Sequence, residues 1–220
     1  MKIFWEFPLT VYISILLIVL YFSVTLGLPH PVVAKYFYSY PGKLNFLNWL
    51  LSSLYHASAS HLLSNVVFLY ILGRAAESKI TKARWISFYM MAGFVSMMAD
   101  SIIRGYFLNE KNIPAVGASG AISGIAAVAM VYSPLNYKVG GINFIFPVFL
   151  IAWLMVYMDF LKLFSSDHVA HWAHLAGFFS VLVTSYFFSE KEREKIRVNF
   201  LLNLLFFLFT VILLFFLENR

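Results

Sequence analysis

The sequence contains no cysteine. That removes disulfides, thiolate metal ligands and a thiol nucleophile together, so any nucleophile here is an oxygen or a nitrogen. Charge is nearly as scarce: Asp, Glu, Lys and Arg make up 12% of the 220 residues, about half the share found in soluble domains. No stretch is polar for long enough to form a water-soluble domain of any size. Internal repeats, low-complexity tracts and an HExxH pattern are also lacking. The first apolar stretch carries neither a basic leader nor an A-x-A cleavage site, which predicts a retained helix that doubles as the insertion signal.

What is present is apolar. Hydrophobic residues account for 61% of the chain and aromatic residues for 19%, and the mean hydropathy is +0.81. Stretches near the roughly 17 to 25 residues that cross a bilayer lie at about 8–28, 84–104, 142–161, 170–188 and 198–217. Two weaker ones, at about 58–76 and 117–133, include polar or small residues. All are too long and too uniformly apolar for barrel strands, and lipid leaves helices as the other way to satisfy the backbone. The expected class is an all-α polytopic membrane protein with seven spans. The mixed-sign run SEKEREKIR at 189–197 reads as a solvated linker, dividing a six-helix core at 1–189 from a charged linker and seventh span at 190–220.

Placing the N-terminus in the cytoplasm puts ten Lys and Arg residues on inner segments and six on outer ones, the sense of the positive-inside rule. The net charge of +6 then follows from topology, with some attraction to anionic lipid, and calls for no nucleic-acid partner. In this arrangement the second, fourth and sixth spans all begin at the outer face. Each begins with polar or small residues: HASASHLLSN at 56–65, GASG at 117–120 and HVAHWAHLAG at 168–177. Three separate stretches therefore converge at one depth. Intramembrane polar groups are costly, about 2.5 to 3.5 kcal/mol for a charge, and mark function or pairing inside a bundle.

Spacing sharpens the picture. His61 and Asn65 are four apart and share a helix face, while His56 falls in the turn leading into that span. Gly120 and Gly124 form one ridge of small residues, Ala173 and Gly177 another, and such ridges let backbones approach closely. Ser119 adjoins the first ridge and His174 lies one turn from Gly177, so packing the two helices predicts a hydroxyl–imidazole pair of the nucleophile and general-base kind. His61 and Asn65 can donate to an oxyanion, with the Ser119 amide as a third donor, each donor being worth about 2.7 to 4 kcal/mol. No acidic residue is evidently placed to orient His174. Asp167 is seven positions earlier, about 10 Å along a helix, and Asp100 and Asp159, near span ends, are expected to turn toward the headgroups. The expectation is a Ser-His dyad rather than a triad. His168, His171 and His174 at three-residue spacing suggest a metal site without completing a zinc pattern, so neither a metal nor another cofactor is expected.

Together these residues resemble the rhomboid family of intramembrane serine proteases. The family pattern is a histidine and then HxxxN on the second helix, GxSG on the fourth and AHxxG on the sixth. This chain has His56, His61-Leu-Leu-Ser-Asn65, Gly117-Ala-Ser119-Gly120 and Ala173-His174-Leu-Ala-Gly177, in that order. The resemblance runs from about residue 5 to about residue 190. LGRAAE at 72–77 is also similar to the glycine and glutamate that close the second helix in the family. There are departures: Trp49 has no neighbouring arginine, Ser123 stands where an aromatic residue often follows the serine, and Val181 replaces a common second glycine after AHxxG.

The resemblance implies Ser119 as nucleophile, His174 as base, His61 and Asn65 as oxyanion binders, and His56 with Gly117 as their support. It implies single-span transmembrane proteins as substrates, cut near the outer boundary without a cofactor, and a seventh helix appended to a six-helix core. The absence of a transit peptide and a composition rich in Lys, Ile and Phe point to a prokaryotic plasma membrane as the location. Two other classes remain open. One is a non-catalytic rhomboid-like protein that binds membrane clients, a group that usually lacks the serine or the histidine. The other is a small transporter or channel, which would need polar residues through the lower halves of these helices; those halves read VVFLYIL, AAVAMVY and SVLVTSYFF.

Overall fold

A computed structural model of the chain describes residues 6–133, 136–139, 142–145, 147–165, 167 and 169–218. Long apolar runs form helices whose ends are marked by local chemistry. Helix α1 (Pro8–Gly27) opens with proline in its first turn, where a missing N–H leaves no bond unmade. Two short helices, α2 (His30–Phe37) and α3 (Phe46–Ser52), fill the connection to α4 (Ala59–Glu77), and the Asn45 side chain caps α3 by accepting from the Leu47 and Asn48 amides. Ser58 caps α4 through the His61 amide, and α4 widens into a π-type turn at Leu69–Gly73. Thr81 caps α5 (Lys82–Phe107). The remainder is α6 (Ser119–Tyr132), an antiparallel hairpin of β1 (Asn136–Val139) and β2 (Ile142–Ile145), α7 (Val148–Leu161), α8 (His171–Ser185) and α9 (Glu190–Glu218).

The fold is a helical bundle of the expected class, and its seven principal helices, α1 and α4 to α9, overlap the seven expected spans, with α4, α5 and α9 running past their expected limits. Four of them, α1, α4, α5 and α9, are long and apolar enough to cross a bilayer. The other three are shorter. Helices α6 and α7 have 14 residues each and α8 has 15, about 21 to 23 Å of helix against a hydrocarbon thickness of about 30 Å. The fifth expected span, 142–161, begins late, because residues 142–145 pair with β1 and the helix starts only after Pro147. The run 189–197, expected as a linker, instead forms the first turns of α9. Its Glu, Lys and Arg residues are good helix formers, and Glu192 fixes those turns by accepting from the Tyr132 hydroxyl (2.9 Å) and pairing with Arg84 (3.2 Å).

Helix α6 is the centre of the bundle. Every residue from Gly120 to Val131 is buried, packed against α5, α7 and α8. Its glycines explain how neighbours come so near. A Cβ built on Gly124 would lie 2.2 Å from the Ala92 Cβ of α5, and one on Gly177 of α8 would lie 2.0 Å from the Gly120 carbonyl oxygen. No side chain fits there, so the helices meet backbone to backbone.

At the upper end of the bundle, where α4, α6 and α8 begin, lies the polar site. The lower end is held by specific polar contacts. Glu77, closing α4, accepts from the Leu9 and Thr10 amides and from the Thr10 hydroxyl at 2.8–2.9 Å, satisfying first-turn donors of α1. Gly73, one turn earlier, leaves room for Thr10, since a Cβ there would sit 2.9 Å from the Thr10 hydroxyl. Helix α6 ends inside the protein, so its last carbonyls need partners. Asn199 of α9 donates to the Val131 carbonyl (3.0 Å) and Asn203 to that of Met130 (3.5 Å).

Candidate active site

Ser119 is the first residue of α6. Its position there follows from the chain before it. Gly117 adopts φ +132°, a conformation that favours glycine, and its amide donates to the Ser52 carbonyl (2.8 Å), tying the turn to the end of α3. A Cβ on Gly117 would lie 2.5 Å from Cε1 of His61, so the absent side chain makes room for that ring. The first-turn amides of α6 have no acceptor within the helix and sit at its positive end, a setting suited to a developing negative charge.

The Ser119 hydroxyl lies 2.8 Å from Nε2 of His174. Backbone contact at Gly120 and Gly177 brings the two helices this close. Ser119 is half-buried and His174 keeps 18% of its side chain exposed, so both are reachable from a cavity of about 1240 Å3. His61 and Asn65 line the same cavity. One N–H of the Asn65 amide donates to the His61 carbonyl (3.0 Å), which leaves its second N–H for another acceptor. His56 is fully buried, and its ring stands edge-on to that of His61 with 5.1 Å between centroids. Burial, with a smaller contribution from His61, pushes the His56 ring down to about 3. It is therefore neutral, and its Nε2 accepts from the Ala118 amide (3.4 Å), one residue before the serine.

A family model described as Rhomboid domain matches residues 43–191, more than half of the sequence. The chain belongs to the rhomboid family. The rhomboid protease AarA of Providencia stuartii is 26% identical to it over 91 residues, which cover 37% of this chain and 32% of that protein. The match thus spans about a third of the relative's length.

In this rhomboid chain the imidazole of His174 has a second partner that the sequence did not reveal. Asp159, in the last turn of α7, places Oδ1 2.8 Å from Nδ1 of His174 and 2.7 Å from Nδ1 of His171. The expected dyad is corrected to a chain of three groups: carboxylate, imidazole and hydroxyl. Asp159 does not turn to the headgroups, because two imidazole nitrogens at its own depth supply what water would have supplied; its side chain is 13% exposed. Asp100 also stays inside, wholly buried and paired at 3.2 Å with Arg104, which in turn holds Glu110 (3.2 Å) and the Ile113 carbonyl (2.9 Å).

His171 is buried as well. Its Nε2 faces both carboxylate oxygens of Asp167, at 3.1 and 3.3 Å. Asp167 lies in the loop between α7 and α8. Desolvation opposes its ionisation, but hydrogen bonds from the Val169 amide, His171 and Ser165 outweigh it and hold the carboxyl at about 2. His168, the other member of the three-histidine spacing, lies outside the described residues. Among the described residues a group able to ligate a metal is Asp159, His171 and His174, whose ligand atoms lie within 4.8 Å of one another.

The signal for Asp159 was in the sequence in part. It sits two residues before the end of α7, and His174 three residues after the start of α8, so the hairpin of helices sets both about one turn below the upper rim. Depth was readable from the span limits. Rotation about the helix axis, which decides whether the two side chains face each other, was not.

Proposed function

We propose that this rhomboid chain is an intramembrane serine endopeptidase that cuts single-span membrane proteins near the outer face of a prokaryotic plasma membrane, with its N-terminus in the cytoplasm. The observation that carries this reading is the 2.8 Å contact between the Ser119 hydroxyl and Nε2 of His174, opening on a cavity that His61 and Asn65 also line. In this mechanism Asp159 accepts the Nδ1 proton of His174 and so leaves Nε2 free to take the proton from Ser119. Oγ attacks the scissile carbonyl, and the oxyanion is met by the Ser119 amide, His61 and the free N–H of Asn65. His174 then gives its proton to the leaving amine. Water enters through the same cavity and releases the acyl group from Ser119.

A substrate helix must unwind at its upper end to place an extended segment across α6. Exposed aromatic side chains at the cavity border, among them Phe68 and Phe164, support approach from the membrane. The transporter reading has less support, since the cavity walls formed by α6 and α7 go no deeper than Ser123 and Met155 among the described residues and α6 below them is buried and apolar. A fluorophosphonate probe tests the proposal. It should label the wild-type protein and not Ser119→Ala, and only the wild type should cleave a single-span test helix in liposomes. Labelling that persists in Ser119→Ala would reject the serine as nucleophile, and a protein that binds test helices without cutting them would favour the client-binding class.

A further inference from the structure

His171 has no step to perform in the mechanism above, yet it is buried against the carboxylate that orients the base. Nδ1 of His171 and Nδ1 of His174 converge on Oδ1 of Asp159 at 2.7 and 2.8 Å, and a ligand atom from each of the three residues lies within 4.8 Å of the others. Two imidazoles and one carboxylate, with a fourth position open to water, are a zinc donor set. A second observation points the same way. A histidine that ligates a metal usually gives its other ring nitrogen to a carboxylate, and the other nitrogen of His171 faces Asp167 at 3.1 Å. With both of its nitrogens against carboxylate oxygens, His171 makes full use of its hydrogen bonds in the metal-free protein only as the doubly protonated ring. A cation at Nδ1 replaces that proton and keeps the Asp167 contact.

We propose that Asp159, His171 and His174 form an inhibitory site for a borderline-soft divalent cation such as Zn2+. This inference rests on the reading of His174 as the base. The present N···O separations of 2.7 and 2.8 Å are hydrogen-bond distances, and tetrahedral zinc with ligands at about 2.0 to 2.1 Å sets them about 3.3 Å apart. Entry of the ion thus moves side chains by less than about 1 Å and leaves both helices where they are. His171 loses its Nδ1 proton to solvent. His174 exchanges a proton on Nδ1 for one on Nε2, so the net release is one proton. With Nδ1 metallated and Nε2 protonated, His174 donates to Ser119 instead of accepting from it, and the base is lost while the pocket keeps its shape. Hard cations that favour all-oxygen sites, Mg2+ and Ca2+, do not suit this donor set.

The experiment uses the full chain in detergent. Zinc binding is measured by competition with a chromophoric chelator on Ser119→Ala, which keeps all three ligands, and on the same protein carrying His171→Asn or Asp167→Asn. The expected result is one equivalent bound, weakened about 10- to 100-fold by Asp167→Asn and more than that by His171→Asn. In parallel, zinc should suppress fluorophosphonate labelling of the wild type, EDTA should restore it, and millimolar Mg2+ should have no effect. Zinc affinity unchanged by His171→Asn, or stoichiometric zinc that leaves labelling at its metal-free rate, overturns the proposal. A wild-type protein that is never labelled, with or without zinc, would instead mark failure of the protease reading.

Discussion

Replacing Asp159 by Asn removes one charge and almost no volume, and the structure sets the size of the effect. In the proposed mechanism His174 becomes an imidazolium in the transition state, with its Nδ1 2.8 Å from Asp159 Oδ1. At an effective dielectric of about 20 that attraction is worth about 6 kcal/mol. That is the same order as the roughly 10⁴-fold fall seen when the equivalent carboxylate of a soluble triad is neutralised. Asp159→Asn should therefore lower kcat for a single-span test helix by roughly 10⁴-fold, with little change in KM, because Asp159 does not line the substrate cavity. Melting in detergent establishes that the variant is folded. A folded Asp159→Asn protein that turns over within about threefold of wild type would refute the assignment of Asp159 as the group that steadies the base.

Three other expectations follow from the packing and burial. Gly177→Ala drives a Cβ to 2.0 Å from the Gly120 carbonyl, a backbone atom that cannot rotate away, so it should destabilise by about 1–3 kcal/mol or more; a wild-type melting temperature would contradict backbone contact between α6 and α8. His56 is held near 3 when folded and titrates near 6.5 when unfolded, so the unfolded chain binds the extra proton between those values. Its contribution to stability is complete above pH 6.5 and is lost progressively as pH falls toward 3. The drop in melting temperature from pH 7.5 to pH 4.5 should accordingly be smaller in His56→Gln than in wild type, and equal drops would argue against a neutral buried ring. Converting Asn199 and Asn203 to Leu strips donors from the Val131 and Met130 carbonyls and should cost about 1–3 kcal/mol for each buried acceptor left bare; unaltered unfolding in denaturant would show that those carbonyls find other partners.

The sequence was most legible where one residue type has one physical use. Apolar runs marked the seven principal helices, and the glycines of α6 and α8 marked where two backbones touch, because only the absence of a side chain allows it. Depth was legible too, since polar residues clustered at the start of α4, α6 and α8. Two kinds of information were hidden. Asp159 could be placed in depth but not in azimuth, and a carboxylate near a helix end has an easy alternative in the headgroups, so its bonds to His171 and His174 emerged only from the packed bundle. The run at 189–197 is mostly exposed, as its charges imply; what they did not reveal is that it is helical from Glu190 and that Glu192 reaches Tyr132 and Arg84.

Helix α6 touches protein along its whole length, buried from Gly120 to Val131. The rod that bears the serine is therefore dissolved in other helices and not in fatty acyl chains. Swapping one lipid for another, or lipid for detergent, leaves its surroundings as they were, so the speed of the bond-breaking step should travel unchanged with the purified molecule. Under the proposed protease reading the bilayer governs delivery: the outward-facing sides of α4 and α7, where Phe68 and Leu154 are exposed, are where membrane composition would speed or slow a substrate on its way in.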